Sequence, residues 1–344
     1  RTATAASTNY SLQNYANDVV ATVQEGCEPK NVPVPTLVSE SGRAIASHFS
    51  VLVFNVLGSG GLQQPAPPVE QDEPLIVRNL RETFQGIKAL PIDTPADPSR
   101  LQEAWNDALK FKEDALAAFR LGYLSLKERS MAEQLTWACA RALLDRLHDV
   151  AKLPDDLKTL PAVLAETYYA NLSIFRSAPD TWAIQQLFPL MPLHRLNEQP
   201  TRLGHFADLT CDSDGKLNRF IDDGNNKPLL ELHPLKPNEP YLIGMFLGGA
   251  YQEVMGNLHN LFGSTDAAHI RLAPGGDYQV DHVVRGDTNA DVLEMMEHDP
   301  DQLLERLRMA SEKAISSGTL RINESRRLMD HLEISLRQST YLQS

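Results

Sequence analysis

Cysteine is scarce: Cys27, Cys139 and Cys211 lie far apart and form no CxxC pair. Neither a disulfide framework nor a zinc knuckle is expected from that. Long apolar runs are missing too. The longest spans residues 49–57, broken by Ser50 and Asn55, and falls far short of the ~20 residues a membrane span needs. No signal-peptide pattern is seen. Basic residues are outnumbered, 32 Lys plus Arg against 45 Asp plus Glu, a net charge of −13. A field of that sign repels phosphate backbones and anionic lipid, so neither nucleic acid nor membrane is expected as a partner. The expectation is a reduced, cytoplasmic protein. What the chain does have is 42% hydrophobic residues across 344, enough for a buried core and two or three domains.

Several common motifs are broken or missing. Gly58-Ser59-Gly60 starts a dinucleotide loop, but Gln63 stands where the third glycine belongs and prolines follow. Asp212-Ser213-Asp214-Gly215 starts a calcium loop, but Lys216 and Leu217 occupy its fifth and sixth positions. No H-E-x-x-H and no G-x-S-x-G occurs among the 344 residues.

Along the chain, Leu12, Tyr15, Val19 and Val23 keep helical spacing, and Thr36-Leu37-Val38 reads as a short apolar strand. Ser39 to Arg43 follows as a tight turn, and residues 44–57 read as helix and then strand, one repeat of an α/β architecture. Residues 1–57 are taken as one unit and 58–72, rich in Gly and Pro, as a linker. Residues 73–181 read as a helical insertion with capping boxes at Ser99-Arg100-Leu101-Gln102 and Ser125-Leu126-Lys127-Glu128. It shows no chemistry and reads as a packing or oligomerisation module. Residues 182–287 hold many prolines and short apolar runs at 187–193, 206–210, 229–232 and 241–247, a β-domain. Residues 288–344 return to helical spacing.

Three segments carry candidate chemistry. In Ser39-Glu40-Ser41-Gly42-Arg43, glycine lets backbone N–H groups approach an anion, Arg43 can fork onto phosphate oxygens, and Glu40 can face a cation. The plain alternative is a helix N-cap with a surface arginine. In Thr210-Cys211-Asp212-Ser213-Asp214-Gly215, a thiol is presented beside carboxylates, better suited to donate a proton than to attack. The alternative is a β-turn with a half-buried cysteine. In Gly248-Gly249-Ala250-Tyr251, small residues clear space around a tyrosine whose hydroxyl could reach a phosphate; a bulge under an aromatic ring is the alternative.

Taken together and in this order, these segments resemble the C-terminal half of biosynthetic arginine decarboxylases, pyridoxal-phosphate enzymes of the alanine-racemase-like class. The resemblance extends to Asn14-Tyr15-Ala16-Asn17-Asp18-Val19-Val20, to residues 39–50 and 187–196, and to Leu258-His259-Asn260-Leu261-Phe262-Gly263. It implies the end of a pyridoxal-phosphate-binding (β/α)8 barrel, an inserted helical bundle, a β-sandwich or barrel domain and C-terminal helices. It implies decarboxylation of L-arginine to agmatine and CO2, at the head of putrescine and spermidine synthesis, with magnesium as a further cofactor. The bundle favours the arginine branch over the ornithine and diaminopimelate enzymes; a related decarboxylase acting on ornithine, diaminopimelate or carboxynorspermidine is the alternative, and a catalytically dead regulatory homologue is the rival of another class.

By the same resemblance, Glu40 pairs with the pyridine nitrogen, Gly42 and Arg43 bind the cofactor phosphate, and Tyr251 closes over it. Cys211 returns a proton to the α-carbon, and Asp212 holds the substrate's distal cation. Two chains of a homodimer or tetramer would then build each site. Ser41 stands where the family usually has proline, and Asp214 gains no role. The Schiff-base lysine and the glycine-rich phosphate loop have no match here; neither Lys30 nor Lys216 fits. Residues before Arg1 are therefore expected to be missing, and the chain alone is expected to be inactive.

Overall fold

The computed structural model describes residues 11–62, 65–91, 97–147, 154–222 and 226–343. Helix α1 (Leu12–Cys27) begins where the Ser11 side chain accepts the Asn14 N–H, yet none of its residues is buried. Its apolar face has the right spacing but is left uncovered by the described residues. The strand expected at 36–38 does not form, and Val38 is 93% exposed. A strand exists through its ladder bonds, and no described segment pairs with this one. Helix α2 (Gly42–Ala46) and a 3₁₀ turn at Ser47–Phe49 lead into strand β1 (Val51–Gly60), in the order expected.

Ten residues long, β1 organises the central sheet. Eleven strands are described: after β1 come β2 (Glu166–Ala170), β3 (Leu190–Pro192), β4 (Arg202–Ala207), β5 (Lys216–Leu217), β6 (Phe220–Ile221), β7 (Asn226–Lys227), β8 (Leu230–Leu232), β9 (Leu242–Phe246), β10 (Ala267–Leu272) and β11 (Tyr278–Val284). Seven of them form one sheet in the order β3-β9-β1-β2-β4-β5, with β8 also on β4. The first half of β1 pairs antiparallel with β9, from Val51↔Phe246 to Asn55↔Leu242. Its second half pairs with β2, with a register shift between Val56 and Gly58. Gly58-Ser59-Gly60 is thus strand rather than linker; Gly60 opposes Thr167, with the Tyr169 ring over the position a Cβ would take.

Strand β2 also corrects the helical block, which ends before residue 166 instead of 181. Glu166-Thr167-Tyr168-Tyr169-Ala170 alternates in burial as a strand does and runs parallel to β4. Phe54, Tyr168, Phe206, Phe220, Tyr241, Ile243 and Met245 fill the core, with Phe54 and Phe206 edge to face at 5.6 Å.

Helices α3 (Leu75–Lys88), α4 (Pro98–Arg120) and α5 (Leu126–Leu144) form a separate bundle around Leu80, Ile87, Leu101, Leu135 and Leu143. Ser125 and Glu128 close a full capping box on α5. The box expected at Ser99 does not form: Asp97 is the N-cap of α4 and Pro98 takes the first helical position, where its missing N–H costs nothing. Three further helices, Asn289–Met295, Pro300–Ser316 and Ile322–Arg337, close the chain. No helix among the described residues is long and apolar enough to cross a membrane.

The segment entering the bundle is pinned by one buried arginine. Arg81 donates to the carbonyls of Pro67 and Pro68 and forms a short bidentate pair with Glu73, which is almost wholly enclosed. That pairing holds the Glu73 carboxyl below its usual range. Its stabilisation is full above the ordinary carboxylate pKa and is lost as pH falls through the lower folded value. Glu73→Gln is expected to cost about 2 kcal/mol at neutral pH, the worth of a hydrogen bond to a charged group. The difference from wild type should start to shrink as pH falls below about 4, the ordinary carboxylate range, and vanish below the lower folded value; urea unfolding across that range checks it, and a pH-independent difference would contradict it.

Candidate active site

Sheet register explains how residues far apart in sequence meet. Because Val51 opposes Phe246, the start of β1 lies beside the end of β9. The segments running off those two ends, 40–50 and 247–252, are therefore neighbours. Gly249 N–H donates to the Ser47 carbonyl at 2.9 Å. A Cβ on Gly249 would fall 2.2 Å from the Ala46 carbonyl oxygen and 2.4 Å from the Phe49 ring. Backbone cannot yield there as a flexible side chain would. Gly249→Ala is expected to cost about 1–3 kcal/mol, the usual penalty of overpacking, read as a lower unfolding midpoint; unchanged stability would contradict the contact.

Four of the six singled-out residues converge here. The Glu40 Oε1 accepts the Gly42 N–H at 2.9 Å and the Tyr251 hydroxyl at 3.2 Å. Arg43 lies over the Tyr251 ring, 4.8 Å from its centroid, and pairs with Asp180 at 2.8 Å. Tyr251 holds a left-handed backbone, φ 70°, uncommon for a bulky residue and frequent at functional sites. A backbone donor and a hydroxyl donor thus meet on one carboxylate oxygen, with a guanidinium over the tyrosine ring beside them. That donor set suits an anionic oxygen.

Cys211 and Asp212 lie on a different feature, the tip of the β4–β5 hairpin. Ala207 opposes Lys216, and Asp208 N–H donates to the Gly215 carbonyl at 2.8 Å. Asp208 shapes this tip: its carboxylate accepts from Thr210 N–H, Thr210 hydroxyl and Ile174 N–H. Gly215 is required, since a Cβ would sit 2.2 Å from that carboxylate. The Asp212 Oδ1 accepts the Asp214 N–H at 2.9 Å, while Oδ2 lies 3.9 Å from His259 Nε2. Cys211 is exposed and bonded to Asn260. Among the described residues no hydrogen bond or ion pair joins Cys211 or Asp212 to Glu40, Arg43 or Tyr251.

Sequence reasoning missed the residues that hold these parts. Asp180, 4% exposed, anchors Arg43 and exchanges two hydrogen bonds with Gln252, which follows Tyr251 directly. The one available signal was Gln252 beside the glycine-tyrosine motif. For Asp180 and Asp208 there was none, because an isolated acid in a loop looks the same whether buried or exposed. Among the described residues no cluster of three or more His, Cys, Asp or Glu could hold a metal ion.

Comparison with known proteins places both helical regions. A family of arginine decarboxylase helical bundle domains matches residues 70–161, and one of arginine decarboxylase C-terminal helical extensions matches residues 290–342. Over its full length the chain is 72% identical to the biosynthetic arginine decarboxylase of Synechococcus sp. (strain RCC307) and 70% to that of Prochlorococcus marinus (strain MIT 9303). The crystal structure of the biosynthetic arginine decarboxylase of Campylobacter jejuni matches 98% of the chain, with TM-score 0.77 and 32% identity. Over its whole length the chain is similar to biosynthetic arginine decarboxylases. It covers 52%, 53% and 53% of those three proteins, about half their length.

Proposed function

We propose that this chain supplies the cofactor clasp and the proton donor of a pyridoxal-phosphate-dependent lyase that converts L-arginine to agmatine and CO2. The observation that carries this reading is the meeting of Gly42 N–H and the Tyr251 hydroxyl on a Glu40 carboxylate oxygen, with Arg43 lying over the Tyr251 ring. A phosphate oxygen fits the same donors, and Arg43 can offer it a fork. With a phosphate on those donors, Glu40 is free to pair with the pyridine nitrogen and keep it protonated. When bound, pyridoxal phosphate supplies an electron-accepting ring for the electron pair left as CO2 departs.

The other roles fall to the hairpin tip. The Asp212 Oδ2, free of backbone bonds, is placed to receive the substrate guanidinium, a planar cation suited to a carboxylate. The Cys211 thiol gives its proton to the α-carbon. Glu40, Tyr251, Cys211 and Asp212 are exposed, and among the described residues no hydrogen bond or ion pair joins clasp to tip, which fits a homodimer or tetramer whose sites combine the clasp of one copy with the tip of another. In this reading the described residues before β1 belong to the end of a (β/α)8 barrel, β1 starts the β-domain, and the remainder of the site lies outside this chain.

A chimera tests it: this chain replaces the matching half of its 70% identical Prochlorococcus relative. Purified with pyridoxal phosphate and offered arginine, ornithine and diaminopimelate separately, it should release CO2 and agmatine from arginine. No CO2 from arginine, or a higher kcat/KM for another substrate, would overturn the proposal.

A further inference from the structure

The Cys211–Asp212 tip rests against a second dipeptide, His259–Asn260, to which no role has fallen so far. The Asn260 amide meets one residue at two points. Cys211 N–H donates to Oδ1 at 3.2 Å, and Nδ2 lies 3.5 Å from Sγ. A backbone N–H can only donate, so Oδ1 must face it and the NH2 group must face the sulfur. The backbone beneath is strained: Asn260 and Leu261 are both left-handed, φ 54° and 62°. Asparagine tolerates that region, but leucine does not visit it without cost. His259 braces the arrangement, its ring against Phe175 at 4.3 Å and its N–H donating to Asn257 Oδ1. Its Nε2 is buried, has no hydrogen-bond partner among the described residues, and faces Asp212 Oδ2.

We propose that Asn260 is a positioning residue for the Cys211 thiol, clamping its backbone while its NH2 group supports the sulfur as the proton leaves. This rests on the proposed role of Cys211 as proton donor. In that step the S–H bond breaks, the electron pair left on the α-carbon by departing CO2 forms the new C–H bond, and the negative charge remains on sulfur. An N–H donor aimed at the sulfur stabilises that charge, and solvent can return the proton because Cys211 is exposed.

Asn260→Asp replaces the amide donor with a carboxylate. It keeps the shape, the tolerance of a left-handed backbone and an acceptor for Cys211 N–H, but cannot donate to sulfur. In the chimera, kcat for arginine should fall roughly ten- to a hundredfold, the worth of a hydrogen bond to a charged group, with KM within about twofold. Adding Asn260→Asp to Cys211→Ala should cause no further loss. A second readout needs no activity: in the 344-residue chain, Asn260→Asp should slow alkylation of Cys211 by iodoacetamide severalfold, followed by peptide mass spectrometry. Wild-type kcat in Asn260→Asp, beside an impaired Cys211→Ala, would overturn this inference and spare the reading of Cys211. A full additional loss in the double variant, or an unchanged alkylation rate, would also overturn it. Unimpaired turnover in Cys211→Ala would overturn both.

Discussion

Cys211→Ala in the chimera should lower kcat for arginine by about 10²–10⁴-fold, the usual contribution of a positioned proton donor. Substrate affinity should hardly change, because Asp212 and its backbone anchors stay in place. The hairpin tip is fixed by Asp208 and Gly215 rather than by the cysteine side chain, so loss of the sulfur leaves the fold intact. Steady-state kinetics with agmatine quantified by chromatography reads the effect. Turnover within about twofold of wild type would remove Cys211 from the reaction.

Arg43→Ala has two consequences that can be measured apart. In the chimera it deletes the charged member of the phosphate clasp, and retention of pyridoxal phosphate should weaken roughly ten- to a hundredfold. In the 344-residue chain it strands Asp180, whose side chain is 6% exposed and pairs with Arg43 at 2.8 Å. Removing one partner of a fully buried pair costs about 3–5 kcal/mol. Arg43 is 36% exposed and Gln252 still bonds Asp180, so about 2 kcal/mol is expected here. Asp180→Asn in the same background should recover part of that loss, since an amide carries no charge to strand. Urea unfolding compares the variants; a double variant less stable than Arg43→Ala would contradict the account.

How much of this was visible in the residues depended on the range of the interaction. Ser125 and Glu128 act within one helical turn, and their capping box is present as read. Gly42, Arg43 and Tyr251 announce themselves by residue type, and the structure gathers them with Glu40. Residues 36–38 have the composition of a strand, but forming one depends on neighbours that composition does not reveal. Tyr168 and Tyr169 sit between helical stretches and were absorbed into them, although their alternation is that of β2. Asp180, Asp208 and Asn260 act across 137, 34 and 49 positions of sequence, through Arg43, Ile174 and Cys211. Only the sheet register brings such pairs together, and no local pattern encodes it.

The central claim is that one segment of this chain clasps a phosphate and another presents the proton-donating thiol. A crystal structure of the chimera with pyridoxal phosphate and agmatine tests it directly. Gly42 N–H, Arg43 and Tyr251 should lie within hydrogen-bond distance of phosphate oxygens, Glu40 at the pyridine nitrogen, and Cys211 Sγ against the carbon that lost CO2. A cofactor seated elsewhere, with Glu40, Arg43 and Tyr251 all out of reach, would contradict the account.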